Sequence, residues 1–200
     1  MVRTVHRLKT IYAEAVLDEK CPAEACLYSL KDFLSLIARS ENLLELTFDT
    51  TASGDFPQGC ATIQEVGTQH MIGSVGLCDP AYVRRPPSQP LRVESDIAFD
   101  LTAGDLAYLT TQPHKHMKTI MIRSSGNAVR LQKMIYEDFI LGYIEVGNRV
   151  TDTAPFQGAL KTEYLKCLMP GPYSVHIAQK GIAHFLYKGF PLEYWMMVEK

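Results

Sequence analysis

The chain has 200 residues, 46% hydrophobic and 21% charged, with 20 Lys and Arg against 22 Asp and Glu for a formal net charge of -2. This hydrophobicity and low net charge exclude wholesale disorder, and the length suffices for one large domain or two small ones around a buried core. The longest apolar runs fall far short of a membrane span, and Arg3, Arg7 and Lys9 lead into no apolar h-region, so neither a transmembrane helix nor a secretory leader is expected.

Residues 5–17 fit a helix through Val5, Leu8, Tyr12 and Ala15, or a strand through Thr4, Thr10 and Ile11. A strand is preferred, because a strand–helix–strand opening would give the next segment a sheet to cover. That segment, residues 22–39, is the clearest helix: Cys26, Leu27, Leu30, Phe33, Leu34 and Ile37 recur at three- and four-residue spacing, and Pro22 suits a first turn. Leu44, Leu46 and Phe48 then alternate with Glu45 and Thr47 as in a half-buried strand. Residues 50–59 (TTASGDFPQG) read as a loop, followed by two short strands over 60–66 and 70–75. Residues 79–90, with Arg84-Arg85-Pro86-Pro87 and Pro90, predict an extended connection that separates two subregions of a single domain spanning 1–200. Val93, Ser95, Ile97, Phe99 and Leu101 share one strand face, and Glu94, Asp96 and Asp100 the other.

Residues 117–123 predict another strand. A turn through Ser124, Ser125, Gly126 and Asn127 would lead into a helix with Leu131, Met134, Ile135 and Phe139 on one side. Residues 143–146 pair in this reading with Val150 across Gly147-Asn148. Phe156, Leu160, Tyr164 and Leu168 mark a further helix, stopped by Pro170-Gly171-Pro172. The end reads as a β-meander: Tyr173, Val175 and Ile177 alternate, residues 182–187 return after Gln179-Lys180-Gly181, and residues 192–198 follow Lys188-Gly189. The expected fold class is α+β, a mixed or antiparallel sheet packed by two or three helices, with the C-terminal β-meander.

The chemistry-bearing residues form no catalytic signature. The five cysteines, Cys21, Cys26, Cys60, Cys78 and Cys167, are odd in number and lack a CxxC, which suits reduced thiols in an intracellular, cytoplasmic protein. His114 and His116 would face the same way in a strand, but no nearby carboxylate completes a metal site. Ser124, His114, His176 and Asp152 compose a triad only on paper, with no GxSxG elbow and no Cys–His signature. No catalytic residue, metal or cofactor is therefore assigned, and an enzyme is not expected.

Charge is the informative feature. Residues 106–136 carry Lys115, Lys118, Arg123, Arg130 and Lys133, with His114 and His116, and no Asp or Glu. Residues 14–65 hold ten carboxylates against Lys20, Lys31 and Arg39, a local net of -7. Such separation suits a surface that meets an anion, or copies that meet each other. The five basic residues are the candidate anion- or partner-binding set. An alternative is a phosphate site on the Ser124, Ser125, Gly126, Asn127 turn, where free N–H groups of the following helix and Arg123 would attract an anion; the simpler role there is a helix cap. An RNA-binding accessory protein is a third reading of the same basic stretch.

The order of elements near both ends resembles the matrix proteins of rhabdoviruses. Residues 8–16, 22–39 and 43–48 would be that family's early strand–helix–strand unit. The helix over 156–168 and the following segment YSVHIAQKGIAHFL, beginning at Tyr173, would be its late helix and hairpin. Pro86-Pro87-Ser88-Gln89-Pro90 is neither of the budding motifs, PPxY or PSAP, common there. The resemblance implies a non-enzymatic, self-associating structural protein of the virion. It would form homo-oligomers and contact nucleocapsid or RNA and an anionic membrane surface.

Overall fold

A computed structural model describes residues 2–5, 11–16, 25–27, 29–68, 70–82, 94–112, 114–125, 127–136, 139–150 and 154–200. Along them run β1 (Val2–Val5), β2 (Ile11–Ala15), α1 (Leu30–Ile37), β3 (Leu44–Asp49), β4 (Cys60–Glu65), β5 (Met71–Gly76), β6 (Ile97–Leu101) and α2 (Ala103–Thr110). There follow β7 (Thr119–Ser125), β8 (Ala128–Tyr136), β9 (Phe139–Gly147), β10 (Phe156–Lys161), α3 (Thr162–Leu165), β11 (Tyr173–Ala178), β12 (Ile182–Tyr187) and β13 (Leu192–Met197). These elements fall into two compact units, residues 19–84 and residues 1–18 with 85–200.

The smaller unit is an antiparallel sheet in the order β3-β4-β5 with α1 packed on β5. Ser29 caps α1 by accepting from the Asp32 amide. The helix supplies Phe33 to a core with Ala61, Ile63 and Val75, so its sheet is the one that follows it. The opening residues do form strands, but β2 pairs with β1 and β13 within the larger unit. Pro22 and most of the 79–90 connection lie outside the described residues, apart from a 3-10 turn at Pro80–Tyr82.

The larger unit holds a six-stranded sheet, β1-β2-β13-β12-β11-β6, and a four-stranded sheet, β10-β7-β8-β9. Every pairing is antiparallel. Inward residues of both sheets build one core: Phe99, Tyr173, Val175 and Phe185 from the first, and Ile120, Ile122, Leu131 and Leu160 from the second. The two short helices α2 and α3 pack on each other and close it with Leu106, Leu109, Tyr164 and Leu165. The C-terminal strands β11, β12 and β13 pair in sequence as a meander.

The fold class is thus mostly antiparallel β, which corrects the α+β expectation. Residues 128–136 are a strand, because β8 pairs with both β7 and β9; no helix follows the 124–127 turn. Residues 143–146 belong to β9 and pair with β8 rather than with Val150. The segment 156–168 is a strand followed by one helical turn. Phe156 and Leu160 alternate inward with Gly158, which is buried against Val198 and Phe156. The helix over 103–110 was not expected. A capping box marks it, with Thr102 and Asp105 each accepting from the other's backbone amide.

One charged side chain enters this packing. Lys133 projects from β8 toward α2 and is 3% exposed. Its Nζ lies 3.7 Å from the Tyr108 ring centroid and donates to the Thr111 carbonyl at 3.1 Å, while burial lowers its pKa. Lys133→Ala leaves that carbonyl without its donor and empties the space of the stem. Urea unfolding should show a loss of about 1–3 kcal/mol. Lys118→Ala, on an exposed side chain, should stay within about 0.5 kcal/mol.

The outer face of the six-stranded sheet carries a row of rings in direct register, His176, His184, Trp195 and Tyr12. His184 stacks on Trp195 with centroids 4.5 Å apart, and Trp195 on Tyr12 at 4.8 Å. Desolvation lowers the pKa of both histidines. The Glu193 carboxylate, 2.7 Å from His184 Nε2, opposes the shift at His184; Arg149 reinforces it at His176. With folded values below the ordinary histidine value, the unfolded chain binds more protons as pH falls through about 6.5 and below, so stability drops on acidification. Thermal unfolding at about pH 7.5 and about pH 5.5 should show this drop, and a smaller one in His184→Phe, which keeps a ring beside Trp195. An equal drop in both proteins would remove His184 from the account.

Candidate functional site

The basic residues singled out in the sequence all lie on, or next to, the four-stranded sheet, and strand alternation distributes them. Along β7, Ile120, Ile122 and Ser124 turn to the core, and Arg123 and Ser125 to solvent. Along β8, Leu131 and Lys133 turn to the core and Arg130 to solvent. The cross-strand register aligns Gln157, Arg123, Arg130 and Glu145 in one row across all four strands. In it Arg130 Nε donates to Glu145 Oε2 at 2.6 Å, which raises the pKa of Arg130, and the guanidinium lies over the Tyr143 ring.

The five candidate residues therefore do not form one patch. Lys133 is buried, Arg130 is paired, and Arg123 is exposed on the outer face. Lys115 and Lys118 sit at the other end of β7, roughly 17 Å from Arg123 for five residues of strand. There they meet a basic residue that lay outside the sequence-derived set: the Thr162 amide donates to the Lys118 carbonyl at 2.8 Å, starting α3, whose following Lys166 reaches back to Gln112 Oε1 at 2.7 Å. Gln112 in turn donates to the Met117 carbonyl. This interlock gathers exposed Lys115, Lys118 and Lys166 at one end of the sheet. Lys161 lies beside them with its charge met by Glu199 at 2.9 Å. A charge count over the α3 segment as well as residues 106–136 would have found them.

Ser124, Ser125 and Asn127 belong to the β7–β8 hairpin and Gly126 lies outside the described residues, so no helix N-terminus supports a phosphate there. His114 and His116 are exposed in the loop before β7 with ring centroids 5.2 Å apart. Among the described residues no group of three His, Cys, Asp or Glu is placed to hold a metal, and no helix is long and apolar enough to cross a membrane.

A second feature is apolar. Strand β9 is an edge of its sheet, nine residues long, with Phe139, Ile140, Leu141 and Tyr143 exposed by 38–57%. Its one charged residue, Glu145, is the partner of Arg130. Strand β5 is likewise an edge and carries no charged residue, with Met71 exposed by 60%. The remaining edges differ: β1 carries Arg3, β3 Glu45 and Asp49, β6 Asp100 and β10 Lys161. Charges on an edge strand discourage pairing with another chain, and β5 and β9 lack that protection.

The two units also differ in charge. Residues 19–84 contain four basic and nine acidic residues, net -5, and the rest of the chain 16 basic and 13 acidic, net +3.

No protein-family model matches the sequence, and no curated protein matches it. Among solved structures, the chain is similar to the crystal structure of the PCNA2–PCNA3 complex from Sulfolobus tokodaii. The identity is 11% over 98% of this chain and 84% of the matched chain, with a TM-score of 0.64. At that identity the likeness is one of architecture. It corrects the matrix-type, α+β reading of the architecture: the chain has a PCNA-like, β-rich fold.

Proposed function

We propose that this protein is a non-catalytic, self-associating subunit of a clamp-like assembly, in which β9 of one copy pairs with β5 of the next. The observation that carries this reading is the exposed apolar edge of β9, a long strand without a free charge. Such an edge invites strand addition, and β5 is the other edge without charged residues. The two strands belong to units of opposite net charge, so a contact between different faces of two copies gains electrostatic complementarity that a contact between like faces would lose. The fold it shares with a chain of the PCNA2–PCNA3 complex, which was solved as an assembly, supports the same reading.

Sedimentation tests it. The wild type should run above monomer mass at low salt and move toward monomer as salt screens the attraction. Leu141→Lys with Tyr143→Lys should remain monomeric throughout. Both positions are exposed, so thermal stability should change by no more than about 1 kcal/mol. A wild type that is strictly monomeric at low salt would falsify the assembly.

Within that assembly, Lys115, Lys118 and Lys166 contact the phosphate backbone of nucleic acid. Their clustering at one end of the sheet, with no carboxylate partner among the described residues, supports this role. Each lost phosphate contact should flatten the dependence of log affinity on log salt by about 0.9 for duplex DNA. Replacing all three by Gln should weaken binding uniformly across sequences and flatten the slope by about 2–3. An unchanged slope removes this end of the sheet from the interface.

A further inference from the structure

The outer face of the four-stranded sheet holds a cavity of about 570 Å3, lined by Arg123, Arg130, Gln132, Glu145 and the Pro155–Phe156 corner. Two features of it are unbalanced. Arg123 and Arg130 stand directly opposite each other across β7 and β8, where like charges repel. Glu145 answers Arg130 only; no described carboxylate lies within ion-pair distance of Arg123. In addition, one buried polar atom on this face has no partner: Oε1 of Gln132, a residue 6% exposed. Buried polar groups are normally satisfied, so this oxygen marks a place where a hydrogen-bond donor is missing.

We propose that this cavity is a binding site for a small phosphate monoester that also carries hydroxyl donors, of the sugar-phosphate or nucleotide class. Two facing guanidiniums need more acceptor oxygens than a carboxylate, which a single Arg can occupy in bidentate fashion. A phosphate supplies three. Arg130 spends its Nε on Glu145 and keeps its terminal nitrogens for the ligand. Gln132 Oε1 requires a donor instead, which inorganic phosphate serves poorly and a ribose hydroxyl serves well. The volume falls in the range of small-molecule sites, about 300–1,000 Å3. The site lies at the opposite end of β7 from Lys115 and Lys118 and does not depend on assembly through β9.

Thermal shift with ribose 5-phosphate, inorganic phosphate and ribose as probes tests both ends of the site. Saturating ribose 5-phosphate should raise the Tm by about 3 °C or more, inorganic phosphate by less, and ribose not at all. Arg123→Gln, at an exposed position, should fold with an unchanged unliganded Tm and lose both shifts. Gln132→Leu should reduce the ribose 5-phosphate shift to that of inorganic phosphate, while Lys115→Gln with Lys118→Gln leaves all shifts intact. The absence of any shift in the wild type, or equal shifts in Arg123→Gln, overturns the site. So does loss of duplex DNA binding in Arg123→Gln, which would assign Arg123 to a nucleic-acid surface.

Discussion

Strand β8 is held by β7 on one side and β9 on the other, and this double pairing governs the rest of the larger unit. A strand so placed has one face against the helices and one toward solvent, and its alternation leaves no freedom over which residue goes where. Leu131 and Lys133 fall on the core side, Arg130 on the solvent side. A lysine on a core face is costly unless its charge is met, and α2 meets it with the Tyr108 ring and the Thr111 carbonyl. The same pairing puts Arg130 opposite Arg123, moves Glu145 within reach of only one of them, and leaves β9 as the last strand of its sheet. The cavity and the exposed apolar edge strand are therefore two consequences of one register.

What the sequence conceals follows from where its periodicity breaks. The meander of β11, β12 and β13 is legible because each strand has one buried face and one mixed face, and glycines or short turns separate them. Strand β8 is not legible. Leu131, Gln132, Lys133 and Met134 are all buried, and register shifts beside Met134 interrupt the two-residue period. The surviving apolar positions, Leu131, Met134 and Ile135, then happen to match helical spacing. In β10 the inward position between Phe156 and Leu160 is Gly158, which contributes nothing to an apolar count but lets Val198 approach the backbone. Helix α2 is hidden for a different reason: its signal is the Thr102–Asp105 cap rather than an apolar stripe, with only Leu106 and Leu109 buried.

The basic stretch shows how far charge counting reaches. Its five cations are real neighbours along the chain, yet folding buries one, pairs another, and separates Arg123 from Lys115 and Lys118 by the length of a strand. The group that does assemble at the other end includes Lys166, brought in by pairing of β10 with β7 and by the hydrogen bond to Gln112. Composition revealed the excess of charge; only the pairing of distant segments could reveal its shape.

Helix α2 also bears on the edge that β9 presents. Gly142, opposite Lys133 in the ladder, faces Tyr108, and a Cβ there would collide with the tyrosine hydroxyl. The absence of a side chain lets Tyr108 sit against the middle of β9 while Lys133 holds the same ring from β8. A two-sided contact of this kind restrains the edge strand in an extended form, so less conformational entropy would be lost in the proposed pairing. The exposed apolar residues on either side of Gly142, Leu141 and Tyr143, would then meet a partner from a fixed backbone, and the strand's usefulness as an edge rests on a glycine that contributes no contact of its own.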